Sequence, residues 1–311
     1  MRTRPFNAGS VVSELALGTW GLSGDGYGPV SDSVQDEVIQ RARAYGITLY
    51  ETADVYGRGA MEQRLGRLFE TDPDVCIVTK VGTDMTAIPA RKRFDPEYLR
   101  LAVQQSGERL RRPCIDVLLL HNPSAQTLER PEVPGVLAEL KNEGKIARWG
   151  VSAGSGSVAR AALAQGADVI ELAYNVFTGS ELEVLDFGQR QVGVLARSVL
   201  AHGLLCAQWS ESRMFANGDH RTERWTPEQL RGRLRQLSAV SSIVGGEVQT
   251  ARAAALRFVL SNPTVSSAVI GPRSRVQLDQ LVREAGPGPE YLAAGLVQRV
   301  KEQLARMGVS R

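Results

Sequence analysis

The chain predicts an α/β fold, a single-domain (β/α)8 barrel of the TIM type. Eight short apolar runs, rich in β-branched residues, mostly alternate with amphipathic helical segments. No internal repeat, low-complexity tract or composition shift divides residues 1–311. Three successive runs also stop abruptly at a titratable residue. Ile47 to Glu51 leads into Thr52-Ala53-Asp54-Val55-Tyr56-Gly57, Val75 to Thr79 ends in Lys80, and Val117 to Leu120 ends in His121. In a parallel barrel, consecutive strand ends lie side by side on the face where active sites form.

A chain of 311 residues suits one such barrel. Hydrophobic residues are 43% and charged residues 23%, near globular averages, so a large core is expected and disorder is not. A net charge of +3 argues against a nucleic-acid surface. Arg91-Lys92-Arg93 and Arg109, Arg111 and Arg112 read as solvated faces. Cys76, Cys114 and Cys206 are far apart and lack C-x-x-C spacing, so neither a disulfide framework nor a zinc site is expected. Met1 to Pro5 has no apolar signal core, and no run approaches the ~18 residues of a membrane span. The expectation is a cytoplasmic protein with no membrane partner.

Taken in order, Val11 to Leu17 is the first strand, ending in Gly18-Thr19-Trp20-Gly21. Gly21 to Pro29 is too rich in glycine for regular structure and reads as a mobile loop. Ser33 to Ala44 carries Val34, Val38 and Ile39 on a helical stripe, stopped by Gly46. The Glu51 strand follows, then a helix over Ala60 to Phe69 and the Lys80 strand. Gly82 to Arg93 reads as a loop. Asp95 caps a helix that has Pro96 at its first position and Leu99, Val103 and Leu110 on its stripe. The His121 strand and the Asn122–Arg130 loop come next, followed by a helix from Pro134 to Lys141 and a strand from Ile146 to Ser152. Val158 to Leu163 is helical, Val169 to Asn175 is the sixth strand with its exit, and Val192 to Ala196 is the seventh. Cys206 to Trp225 is long and irregular, a length that points to function or mobility. Helices over Pro227–Leu237 and Thr250–Leu260 precede the eighth strand, Ser267 to Ile270. Gln277–Glu284 and a C-terminal helix at about 290–307 complete the chain.

The order of these motifs resembles the aldo-keto reductase family. That family reads D-T-A-D-x-Y-G after its second strand, T-K after its third and L-L-L-H after its fourth. Here the matching residues are Glu51, Tyr56, Lys80 and His121, with Glu51 where the family has Asp. The pattern G-K-I-x-x-x-G-V-S also matches at Gly144 to Ser152, although Ala153 replaces the usual Asn. The resemblance extends from about Val12 to Glu284. It implies carbonyl reduction with NADP as hydride carrier, Tyr56 as proton donor, Lys80 lowering the Tyr56 pKa, His121 orienting the carbonyl oxygen and Glu51 holding Lys80. The Glu51 carboxylate lies one methylene further out than the family's Asp, so either Lys80 shifts or Glu51 folds back.

The resemblance also assigns cofactor contacts. Gly18 and Thr19 bring backbone near the nicotinamide, and Ser152 and Glu171 hold its carboxamide, Glu171 replacing a common Gln. An ionised Glu accepts from an amide NH2 but cannot donate. Arg197 stands where many members have a stacking aromatic residue, and Arg197, Ser198, Leu200 and Gly203 belong to the loop that covers the cofactor. Ile270 and Gly271 lead to Arg273 and Ser274, which the resemblance places on the adenosine 2′-phosphate, with Gln277 beside them. Leu281 falls where Asn often meets adenine. Trp20 is either a wall of the substrate site or a plug of the barrel mouth. His202 and His220 lack a third ligand and read as solvated or structural, so no metal is expected.

The expected function is NADPH-dependent reduction of a small-molecule aldehyde or ketone. The alternatives are a sugar lactol dehydrogenase and a cofactor-binding regulatory barrel with little turnover. The sequence does not fix the substrate or the oligomeric state.

Overall fold

A computed structural model describes residues 1–7 and 9–309. Eight parallel strands close into a barrel in chain order. They are β1 (Leu15–Gly18), β2 (Leu49–Glu51), β3 (Cys76–Val81), β4 (Val117–His121), β5 (Trp149–Ser152), β6 (Val169–Ala173), β7 (Gly193–Arg197) and β8 (Ser267–Ile270). Closure comes from β8 pairing with β1, Ala268 opposite Leu15 and Ile270 opposite Leu17.

The strands read as near-continuous apolar runs because both faces are covered. Ala16, Leu49, Val78, Val117, Leu119, Val169 and Leu195 form the interior cluster. Their neighbours Leu15, Leu17, Tyr50, Ile77, Leu118, Leu120 and Ile170 belong to the larger core shared with the helices. This alternation places every second residue inside. Helices flank the barrel at Asp32–Ala44, Ala60–Phe69, Pro96–Leu110, Glu132–Asn142, Gly156–Ala164, Ala251–Leu260 and Arg275–Ala285. Pro227–Ser241 opens with a Thr226–Gln229 capping box. The C-terminal helix, Ala294–Arg306, packs against it.

The first expected strand is two. Val11–Ser13 pairs antiparallel with Thr3–Pro5 as a hairpin, and β1 starts only at Leu15. The break falls at Glu14, a buried carboxylate bonded by Tyr291 and lying 3.5 Å from Arg4. Phe6, in the hairpin turn, is 1% exposed and joins the interior cluster. It closes the N-terminal end of the barrel. Gly193 faces it so closely that a Cβ there would lie 2.5 Å from the ring.

Three expected loops contain regular structure. Trp20–Ser23 is one helical turn. Thr83–Asp84 pairs with Arg91–Lys92 in a hairpin. Ala125–Glu129 is a short helix capped by Ser124. Each is too short to show a period in sequence. Ile146 precedes the fifth strand, which begins at Trp149; it makes an isolated bridge to Ile115. Nor are the arginine clusters simply solvated. Arg109 Nε donates to the buried Glu62 at 2.7 Å, and Arg112 bonds the carbonyls of Phe69 and Asp72 at 3.0 and 3.2 Å. The three cysteines are free. Among the described residues, no helix is long and apolar enough to cross a membrane.

Truncating the plug tests its place in the core. Phe6→Ala is expected to destabilise the fold by about 3–5 kcal/mol, as for other buried aromatic truncations. Denaturant unfolding measures this, and a change below ~1 kcal/mol would show that the barrel floor does not depend on Phe6.

Candidate active site

The C-terminal ends of the strands open into a cavity of ≈ 990 Å³, at the upper end of the range for small-molecule sites. Lys80 lies beneath its surface, 1% exposed. Its Nζ contacts Glu51 Oε1 and donates to Thr52 O at 3.0 Å and Tyr56 OH at 3.1 Å. The Tyr56 and His121 rings meet edge to face with centroids 6.1 Å apart. Glu51, Tyr56, Lys80 and His121 therefore converge at one end of the barrel.

Glu51 reaches Lys80 without a visible gap. Residue 18 helps to make room for the longer side chain, since a Cβ on Gly18 would lie 2.9 Å from Glu51 Oε2. Thr19 N donates to Glu51 O at 2.9 Å, and Thr19 Oγ1 to Thr52 Oγ1 at 2.9 Å. Thr19 does not line the cavity; it fixes the end of β2.

Burial governs the titrations. It pulls Lys80 down to about 8, and Arg197 acts in the same direction. Contact with Glu51 favours the ammonium. Burial raises the Tyr56 pKa, with Glu171 adding to the rise. The neighbouring Lys80 charge predicts a lowered value, but desolvation of the phenolate outweighs it and Tyr56 is held as the phenol. Burial, then Lys80, pushes His121 down to about 2, leaving a neutral imidazole whose Nδ1 has no hydrogen-bond partner among the described residues. Lys92, from the Arg91–Lys92 strand, donates to His121 O at 2.7 Å and so supports the site.

Beside these groups, Ser152 Oγ donates to Glu171 Oε1 at 2.7 Å, while the buried Glu171 Oε2 has no partner among the described residues. Arg197 Nη2 donates to Ala153 O at 3.0 Å, and its Nε lies 3.9 Å from Glu171. Asn175 Nδ2 donates to Ser198 O at 2.9 Å, pinning the start of the loop that follows β7. Ser198, Leu200 and Gly203 line the cavity, as do Gly18, Ile270, Gly271, Gln277 and Leu281. Ser274 does not; its hydroxyl caps the Arg275–Ala285 helix by accepting from Gln277 N at 3.3 Å.

Sequence reasoning missed an aromatic cluster above the cavity. Trp20 packs on Tyr27, His202 and His220 with centroids 5.2, 6.4 and 4.6 Å away. His220 N donates to Gly26 O at 3.0 Å, which joins the 206–225 segment to the Gly21–Pro29 loop. The two histidines are thus part of the mouth rather than solvated, and burial pushes His202 down to about 3. Asp25, Tyr27, Arg58, Met85 and Arg221 also line the cavity. They lie on loops or, for Arg221, in the single 3-10 turn His220–Glu223, none of which shows a period, so only the assembled mouth reveals them. Among the described residues, no group of three His, Cys, Asp or Glu side chains could hold a metal.

The aldo/keto reductase family model matches residues 14–285. The chain belongs to that family. Among its relatives are D-threo-aldose 1-dehydrogenase from a Pseudomonas species, 28% identical with 89% of this chain and 91% of that protein covered, and an NADP(+)-designated aldo-keto reductase of Schizosaccharomyces pombe, 25% identical with 77% and 76% covered. The glycerol dehydrogenase of Gluconobacter oxydans superposes with a TM-score of 0.83, at 26% identity over 99% of this chain and 97% of that one.

Asp54 provides a pH test. Burial and then Glu62 raise its carboxyl to about 7, and its Oδ1 lacks a partner among the described residues. The unfolded chain loses this proton near pH ~4, while the folded chain keeps it to near neutrality. Rising pH over that window therefore favours unfolding. Compared with Asp54→Asn, the wild-type Tm should fall progressively from about pH 4 to about pH 7 and then level off. Parallel melting curves would exclude a buried, protonated Asp54.

Proposed function

We propose that this oxidoreductase uses NADPH to reduce an aldehyde or ketone, with Tyr56 as proton donor. The carrying observation is the 3.1 Å contact from Lys80 Nζ to Tyr56 OH, with Glu51 holding Lys80 from the other side. Site chemistry also suits the cofactor: the unpartnered Glu171 Oε2 beside Ser152 can accept from the carboxamide NH2.

Ser152 and Glu171 would hold the nicotinamide, which would supply the hydride for the carbonyl carbon. The phenol of Tyr56 gives its proton to the oxygen as negative charge develops there. Lys80 stabilises the phenolate left behind and Glu51 keeps Lys80 in place. Neutral His121 can donate one N–H to the oxygen and orient it. Arg197, 3.9 Å from Glu171, would offer a planar cation able to stack on the nicotinamide. Arg273 supplies the positive charge for a 2′-phosphate.

Running the same steps backward oxidises an alcohol. The dehydrogenase names of two relatives favour keeping this as the second reading, with a sugar lactol as substrate. A regulatory barrel would bind cofactor and turn over little.

Fluorescence titration should give NADPH an advantage of roughly tenfold or more over NADH, the worth of one charge-assisted hydrogen bond. A carbonyl panel under NADPH oxidation then tests turnover. Tight NADPH binding with no carbonyl consumed would favour the regulatory barrel. Tyr56→Phe should keep NADPH binding and slow single-turnover hydride transfer by about 10²–10⁴-fold.

Glu51 gives a sharper comparison. Because Glu51 already contacts Lys80 and fills the space beside Gly18, the shorter Glu51→Asp should draw back from Nζ and slow hydride transfer by roughly 10–100-fold. Glu51→Gln should also slow it while leaving NADPH affinity nearly unchanged. Equal single-turnover rates for all three proteins would remove Glu51 from the mechanism.

A further inference from the structure

Arg273 follows β8, yet its guanidinium is spent on main chain rather than on a carboxylate. Its Nε donates to Gly21 O at 3.1 Å, and its Nη2 to Gly28 O at 2.8 Å and Pro29 O at 3.2 Å. All three acceptors belong to the Gly21–Pro29 loop. The fit is close, since a Cβ on Gly21 would lie 3.3 Å from Arg273 Cγ. Tyr27, on the same loop, has its ring 5.9 Å from Arg273 Cζ and 4.8 Å from Arg221 Cζ. Trp20 packs on Tyr27, and both line the cavity.

A guanidinium carries five N–H donors in a rigid planar fork. The loop takes those on Nε and Nη2. Nη1 has no hydrogen-bond partner among the described residues, and Arg273 itself lines the cavity. One residue thus holds the loop that carries Tyr27 and also lines the cavity.

We propose that Arg273 is a positioning residue that couples the phosphate end of the cavity to its carbonyl end. A 2′-phosphate bound at Nη1 fixes the guanidinium, and the guanidinium fixes the Gly21–Pro29 loop with Trp20 and Tyr27. The inference rests on the NADPH reading and goes beyond it, because it makes the phosphate matter for the substrate site as well as for cofactor affinity. Coupling of this kind is reciprocal: a phosphate that steadies the loop also favours whatever the loop helps to bind. The loop has glycines in the left-handed region at Gly24 (φ 89°) and Gly28 (φ 86°), so it has much chain freedom to lose on ordering.

Hydrogen exchange of peptides covering residues 21–29 tests the coupling without turnover, using 2′,5′-ADP and 5′-AMP as probes at equal saturation. The wild-type loop should exchange about fivefold or more slowly with 2′,5′-ADP than with 5′-AMP. Arg273→Lys keeps a charge for the phosphate but cannot bridge the three carbonyls. This variant should still bind 2′,5′-ADP, lose the protection, and show a raised carbonyl KM with little change in kcat. If 2′,5′-ADP binds the wild type and leaves loop exchange unchanged, the coupling is overturned and the NADPH reading stands. If 2′,5′-ADP does not bind, both fall. The wild-type comparison decides the matter even if the variant fails to fold.

Discussion

The site depends on one buried cation. A lysine ammonium taken out of water is costly unless it is paired and hydrogen-bonded. Lys80 meets that demand with a carboxylate, a carbonyl and a phenol. Each of the three comes from the stretch that leaves β2. The stretch is fixed in turn by Thr19 N on Glu51 O and by Asp54 N on Lys80 O. Satisfying one desolvated charge therefore orders the path from residue 51 to residue 56. It also fixes where the phenol of Tyr56 can be.

The two ends of the barrel are furnished differently. At the floor, Phe6 fills the space and Glu14 is held by Tyr291 and Arg4. At the mouth, buried atoms of Asp54, His121 and Glu171 have no hydrogen-bond partner among the described residues. Unpaired buried polar atoms are costly and rare, and where they occur they invite a functional explanation. The mouth retains hydrogen-bonding capacity at these three groups.

The barrel was legible because its strands are buried on both faces and its helices carry apolar stripes. The strand-end residues were legible because Glu51, Lys80 and His121 interrupt apolar runs. Short elements such as Thr83–Asp84 were hidden because two residues cannot display a period. The Tyr56 pKa was misjudged because sequence shows the neighbouring charge but not the extent of burial. Tyr27 and His220 were hidden for another reason. Their positions depend on loops that meet only across the mouth, through contacts such as His220 N to Gly26 O. Ser274 has the right neighbourhood in sequence, but its hydroxyl serves the helix that follows.

Barrel closure joins residues from opposite ends of the chain. Ile270 of β8 pairs with Leu17 of β1, and Gly18, one residue on, lies against Glu51. During synthesis, a ribosome must release more than 250 residues after β1 before that seam can form. Until then the Lys80 site lacks the wall that β8 supplies beside Gly18. Enclosure of the cavity is therefore a late event in the life of each molecule, and a nascent chain that lacks β8 is still an unfinished vessel.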